Sequence, residues 1–254
     1  MDIDLDFFLD SIKNNKNSFS TERLSSKYYK TWKKKNVINF LDNNCGLQNK
    51  RVCGKYFEHH HEVFLFLRTI LKNEDAIIID HIDAHADLGL MFGNFSTDEF
   101  ISTELLNYPI EKRPNLINVT GEETDLSPGN FLLFAIACGW IKQLNYIHPP
   151  GKGTDVGWFI FKEFNPNSNV LQLKKLTKKE FNFVLNNDTA EFAKNINPNN
   201  LENEVPIQRI SSKNFVSNID YDYIFLTKSP GFTTKESDKL IPLILEYFDT
   251  CNAI

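Results

Sequence analysis

The sequence predicts an α/β protein with a mostly parallel sheet covered by helices on both faces. Three observations predict it. Short unbroken apolar runs, such as 76–79, have the character of strands buried on both faces. Helix-like apolar patterns lie between them. Acidic residues and histidines follow several runs directly, where sheets of this kind place their chemistry. With 254 residues and no internal repeat, the chain is expected to form one domain, 1–254.

The elements follow in order. Residues 3–8 read as a strand, apolar at 3, 5, 7 and 8, with Asp2, Asp4 and Asp6 expected on one face. The stretch 13–35, rich in Asn, Ser and Lys, reads as a surface excursion. Residues 62–71 carry a helical pattern and lead to the 76–79 strand. Residues 131–141, apolar with small residues, read as a helix and 144–147 as a strand. Weaker strands are expected at 158–161 and 223–226. The Asn-rich stretch 186–203 reads as a loop, and 237–248 as an amphipathic helix kinked by Pro242.

Composition narrows the function classes. A net charge of -5 argues against binding duplex DNA. No apolar run reaches the ~20 residues of a membrane span, and the acidic start Met1-Asp2-Ile3-Asp4 is unlike a secretory signal. Cys45, Cys53, Cys138 and Cys251 form no CxxC pair, so reduced structural thiols and a cytoplasmic location are expected. Gly151-Lys152-Gly153 with Gly157 matches no dinucleotide or phosphate-loop pattern, and Lys33-Lys34-Lys35 reads as a solvated face.

The chemistry concentrates in three segments. Carboxylates alternating at Asp2, Asp4 and Asp6 repel unless a cation joins them. The spacing fits an EF-hand poorly, because the glycine and closing glutamate are missing. Asp83-Ala84-His85-Ala86-Asp87 emerges where the buried 76–79 run ends, and its alanines let backbone pack closely around an ion. Glu58-His59-His60-His61-Glu62 precedes the helical pattern and offers a histidine at a helix start. His148, before Pro149, stands at a strand end as a candidate proton carrier.

Asp83-Ala84-His85-Ala86-Asp87 resembles the DAHxD motif of the arginase–deacetylase family. Asp4-Leu5-Asp6 resembles that family's DxD strand, and the histidine tract its early metal histidine. The order is permuted, since the DxD segment here opens the chain; chain termini tolerate such rearrangement. The nearest resemblance is to a divergent arginase-like group that includes peptide arginases. Softer matches are Gly129-Asn130-Phe131, Ile147-His148-Pro149 and Thr227-Lys228-Ser229-Pro230.

The resemblance implies a three-layer α/β/α arginase–deacetylase-like fold with two Mn²⁺ ions. Asp83 and Asp4 would bridge them. His60 and Asp87 would complete one ion, and His85 and Asp6 the other, with His61 as the alternative to His60 and Asp2 in a supporting place. It implies hydrolysis of arginine to ornithine and urea within a peptide partner, with His148 supplying the proton. Glu58 and Asn130 are the implied substrate contacts, and Asp80 and Glu62 are also near for a guanidinium. Competing readings are a single-zinc deacylase, a metal-stabilised binding module and a metallophosphatase. Four carboxylates balance two divalent ions, and oxygen ligands with two imidazoles favour manganese over zinc or magnesium.

Overall fold

The computed structural model describes residues 1–12, 23–71, 76–89, 95–122, 124–151, 155–186, 196, 198, 200–249 and 251. In chain order the strands are β1 (Asp2–Asp4), β2 (Leu9–Ser11), β3 (Tyr29–Thr31), β4 (Val52–Phe57), β5 (Ile77–Ile82) and β6 (Ile141–His148), then β7 (Val170–Leu171), β8 (Lys174–Lys175), β9 (Asn200–Leu201), β10 (Val205–Ser211), β11 (Tyr223–Thr227) and β12 (Phe248–Asp249). The α-helices are α1 (Lys34–Asn39), α2 (His61–Ile70), α3 (Ser96–Thr103), α4 (Phe131–Ala137), α5 (Lys178–Asn186) and α6 (Ile241–Leu245).

Eight strands form one sheet in the order β12-β4-β11-β1-β5-β6-β10-β7. All neighbouring pairs are parallel except β10 with β7. The mixed α/β class with a mostly parallel sheet therefore stands. Two apolar clusters cover the sheet's two faces. On β11, Phe225 joins one cluster, while Ile224 and Leu226 join the other, because side chains alternate along a strand. The first cluster takes α2 and α4; the second takes α1 and residues of α6. Burial on both faces explains why β6 and β11 read as apolar runs rather than alternating ones. The 76–79 run departs from that expectation, for Ile78 is 45% exposed and continuous burial in β5 begins only at Ile79.

Several sequence expectations are corrected. The strand expected over 3–8 ends at Asp4. Its Oδ1 accepts the Asp6 amide at 3.0 Å, and Leu5–Phe8 turn into a 3-10 helix; short acidic side chains compete for backbone in this way. Residues 158–161 are not a strand, for Trp158–Ile160 form a 3-10 turn. The helix expected over 131–141 stops at Ala137, Gly139 takes the left-handed conformation (φ 72), and β6 begins at Ile141. The segment 237–248 divides into a 3-10 turn, Lys235–Leu240, and α6. Within 13–35, residues 13–22 lie outside the described residues, while 29–31 form β3 and 34–39 α1; most of 186–203 also lies outside them.

The expectation of four reduced thiols fails at Cys53 and Cys251, which form a disulfide; Cys45 and Cys138 are free and buried. Pairing across a sequence separation of 198 residues leaves no local spacing signal. Among the described residues no helix is long and apolar enough to cross a membrane.

Candidate metal centre

The carboxyl ends of four adjacent strands build the site, with β6 beside them. β4 leads to His60, β11 to Ser229, β1 to Asp6 and β5 to Asp83, and β6 ends at His148. Parallel pairing brings these ends to one edge: Asp2 is level with His81 and Phe225, and Asp4 with Thr227. Residues from both ends of the chain meet there.

All six sequence-named metal ligands come together. His60 Nδ1 lies 3.1 Å from Asp4 Oδ2, 3.2 Å from Asp83 Oδ2 and 2.8 Å from Asp87 Oδ2. His85 Nδ1 lies 3.0 Å from Asp6 Oδ2 and 3.8 Å from Asp83 Oδ1. Among the described residues four triads of ligand atoms lie close enough to hold an ion: Asp4, His60 and Asp83; Asp6, Asp83 and His85; His81, Asp83 and Asp87; and Asp2, His60 and His81. Asp83 belongs to three of the four. Of the histidine tract, His60 is the one turned inward. His61 opens α2, and its ring stacks on His59 at 5.8 Å.

A single imidazole N–H cannot satisfy three carboxylates. Asp83 Oδ2 and Asp87 Oδ2 are buried without a hydrogen-bond partner among the described residues. Ligand atoms about 3 Å apart are the edges of a coordination polyhedron with bonds of about 2.1 Å. The donor set therefore fits divalent cations. Burial first, then the charges of Asp6, Asp87 and Asp4, push the Asp83 carboxyl well above the usual range, a cost that a bound cation would relieve. Burial and Asp6 raise Asp4 likewise.

A second set of residues holds these ligands in place. Asp2 Oδ1 and Oδ2 lie 3.1 and 3.0 Å from His60 Nε2, and Oδ2 lies 2.8 Å from His81 Nδ1. Burial alone would raise Asp2, but His60 and His81 hold it well below the carboxylate range. Burial disfavours charge on His60, yet Asp2 and Asp87 outweigh it and raise the ring well above its ordinary value. The arrangement is the carboxylate–histidine pairing that orients metal-binding imidazoles.

Local backbone completes the geometry. The His85 amide donates to Asp83 Oδ1 at 2.7 Å, and the Ala84 amide to Asp6 Oδ1 at 3.2 Å. Ser229, in left-handed backbone (φ 45), donates its hydroxyl to Asp4 Oδ2. Phe131 packs 4.6 Å from the His60 ring, and Phe232 5.2 Å from the His85 ring, lowering the dielectric around the cluster.

The other named residues have different situations. His148 stands at the end of β6, and its Nδ1 lies 3.0 Å from the Pro149 carbonyl. Among the described contacts none joins it to the carboxylates. Glu58 is half-exposed and paired with Lys228 Nζ at 2.7 Å, which lowers its carboxyl. Glu62 accepts the amides of Glu58 and His59, as a helix-start carboxylate does. Asp80 accepts from Asn145 at 2.6 Å and Tyr221 at 2.5 Å, away from the cluster.

Asn130, expected to touch substrate, is buried and committed to its loop. Its amide bonds the Ser127 amide at 2.7 Å, the Asp125 carbonyl at 2.8 Å and Thr97 at 3.2 Å. A buried amide with these partners stabilises the turn before α4, which corrects the substrate-contact expectation.

Sequence reasoning missed Asp155 and gave no role to His81 or Ser229. Asp155 Oδ1 accepts the Ala86 amide at 3.0 Å and faces the Tyr146 hydroxyl at 3.5 Å, while the residue stays exposed. Packing around that inner oxygen raises its carboxyl, opposed by His85. No local pattern marks it. It reaches the site only because β6 runs beside β5.

No family model matches the chain, and neither does any curated protein or solved structure.

Proposed function

We propose that the chain is a binuclear manganese hydrolase of an arginase–deacetylase-like fold. It converts arginine residues in a peptide to ornithine and releases urea. The observation that carries this reading is that two of the triads, Asp4–His60–Asp83 and Asp6–Asp83–His85, share Asp83. Asp4, His60, Asp83 and Asp87 would hold one ion, and Asp6, Asp83 and His85 the other. Four clustered carboxylates match two divalent charges, and the oxygen-rich donor set with two imidazoles favours manganese.

When bound, such a pair of ions supplies a water acidified enough to act as a nucleophile near neutral pH. The overall change adds water across the guanidinium carbon and breaks its bond to the side-chain nitrogen. The chain's own groups divide the remaining work. Asp2 fixes the His60 ring so that Nδ1 faces the carboxylates. Phe131 and Phe232 pack against the rings of His60 and His85 and limit their contact with water. Asp155, anchored through Oδ1 and exposed beside His85, is the carboxylate we assign to the guanidinium. With Nδ1 donating to the Pro149 carbonyl, His148 has Nε2 to pass a proton to the departing amine.

The test is a manganese-supplemented urea assay on free arginine and on an arginine-containing peptide, with mass spectrometry of the peptide. Urea in step with loss of the cyanamide equivalent is expected, with two ions per chain by elemental analysis. A saturated chain holding less than one ion, or no urea from any guanidine, refutes the proposal.

A further inference from the structure

A second feature lies on the same end of the sheet. A groove of about 790 Å³ is lined by Lys30, Lys33, Lys35 and Lys213, with Asp10 and Trp32. Its volume is within the ~300–1,000 Å³ of ligand sites. It adjoins the proposed metal centre through the chain itself. Asp10 follows the 3-10 turn that carries Asp6, and Pro150, also in the lining, is two residues beyond His148. Ser212, next to Lys213, donates its amide to the His148 carbonyl at 2.9 Å.

The charge there runs against the whole molecule. The chain carries a net -5, yet four lysines here face a single aspartate. Asp10 is engaged by the Trp32 indole N–H at 3.1 Å. None of the four lysines makes an ion pair with a described residue, whereas Lys50, Lys162, Lys228 and Lys239 each do. The lysines come from β3, the start of α1 with the residue before it, and the turn after β10, so more than one wall is positive. Trp32, half-buried, offers an apolar surface between them. Positive walls beside an aromatic surface suit an acidic ligand carrying apolar groups.

We propose that this groove binds an acidic segment of a peptide, placing a nearby residue of that peptide at the metal centre. The choice of a peptide as occupant rests on the hydrolase reading above. An acidic overall surface repels a nucleic-acid backbone beyond the groove, whereas a short acidic segment meets only the lysines. Selectivity then comes from charge at a distance from the reacting carbon, and it is screened by salt.

The test uses fluorescence anisotropy with the full chain and a labelled, arginine-free peptide rich in Asp and Glu. A neutral peptide and a single-stranded oligonucleotide of matched charge serve as comparisons. The acidic peptide is expected to bind best, with affinity falling as salt rises. The exposed-lysine variant K30E/K33E/K213E is expected to weaken binding by about tenfold or more; its circular dichroism and melting temperature show that it folds. Equal binding by this variant, or tighter binding of the oligonucleotide, overturns the proposal. A parallel kcat/KM comparison uses arginine peptides with acidic and neutral flanks. Urea release with no acidic preference and no groove binding defeats the groove alone. Groove binding without any urea defeats the hydrolase and leaves the groove standing.

Discussion

Replacing Asp83 by Asn separates a metal centre from an ordinary buried ion-pair network, because the two predict opposite signs. Asp83 belongs to both triads proposed to hold the ions, and the charges of Asp6, Asp87 and Asp4 push its carboxyl upward. A like-charge pair about 4 Å apart at an effective dielectric of about 20 costs about 4 kcal/mol. Protonation of the raised carboxyl already relieves part of that. Asp83→Asn keeps the acceptor for the His85 amide and removes the charge. In chelator the variant should therefore be more stable than the parent by about 1–2 kcal/mol, or about 2–8 °C in melting temperature for a chain of this size. With manganese at about 1,000 times its dissociation constant, the parent gains about 4 kcal/mol for each independent site. The variant, which has lost the carboxylate common to both triads, should gain far less, and the order of stability should reverse. Thermal unfolding followed by circular dichroism, with and without manganese, measures both halves. A variant less stable than the parent in chelator, or equal gains with manganese, would refute the reasoning.

Further predictions address single groups. Asp2→Asn should keep the fold but lower manganese affinity about 10–100-fold, measured by competition with a chelating dye, because the carboxylate that orients His60 is gone. His148→Ala should lower kcat about 10²–10⁴-fold with little change in KM; near-normal turnover would remove His148 from the mechanism. Asp155→Asn should raise KM for an arginine peptide about 10–100-fold, the loss of one charge-assisted contact, and leave metal content unchanged. Lys174 is buried and donates to the carbonyls of Phe159, Phe161 and Gln172, while burial lowers its ammonium to about 7. The unfolded chain then binds the extra proton between about pH 7 and the ordinary lysine value of 10.5, so stability rises with pH across that window. Compared with Lys174→Met, the parent should gain about 1 kcal/mol per pH unit there in urea unfolding; parallel curves would mean that the three carbonyls keep the ammonium charged.

Legibility in the sequence followed the range of the interactions. The string from Asp83 to Asp87 stood out because a short apolar strand leads into it, and both the strand and the ligand spacing are local properties. The α/β class followed from the same apolar runs. The turn at Leu5–Phe8 was hidden because Asp4 captures the Asp6 amide, a side-chain choice that alternation cannot register. The stop after Ala137 did have a signal, Gly139, but apolar residues continue from helix into strand and masked it. Asp155, His81 and Ser229 join the site through strand neighbours distant in sequence, and the Cys53–Cys251 bridge likewise.

The place of β1 sets an order of assembly. It lies between β5 and β11, so Asp2 and Asp4 are flanked by partners at His81 and Thr227. One edge of β1 stays open until β11, far along the chain, has formed. Contacts this remote in sequence slow folding. The carboxylates of Asp2 and Asp4 are therefore flanked on both sides only once β11 is in place.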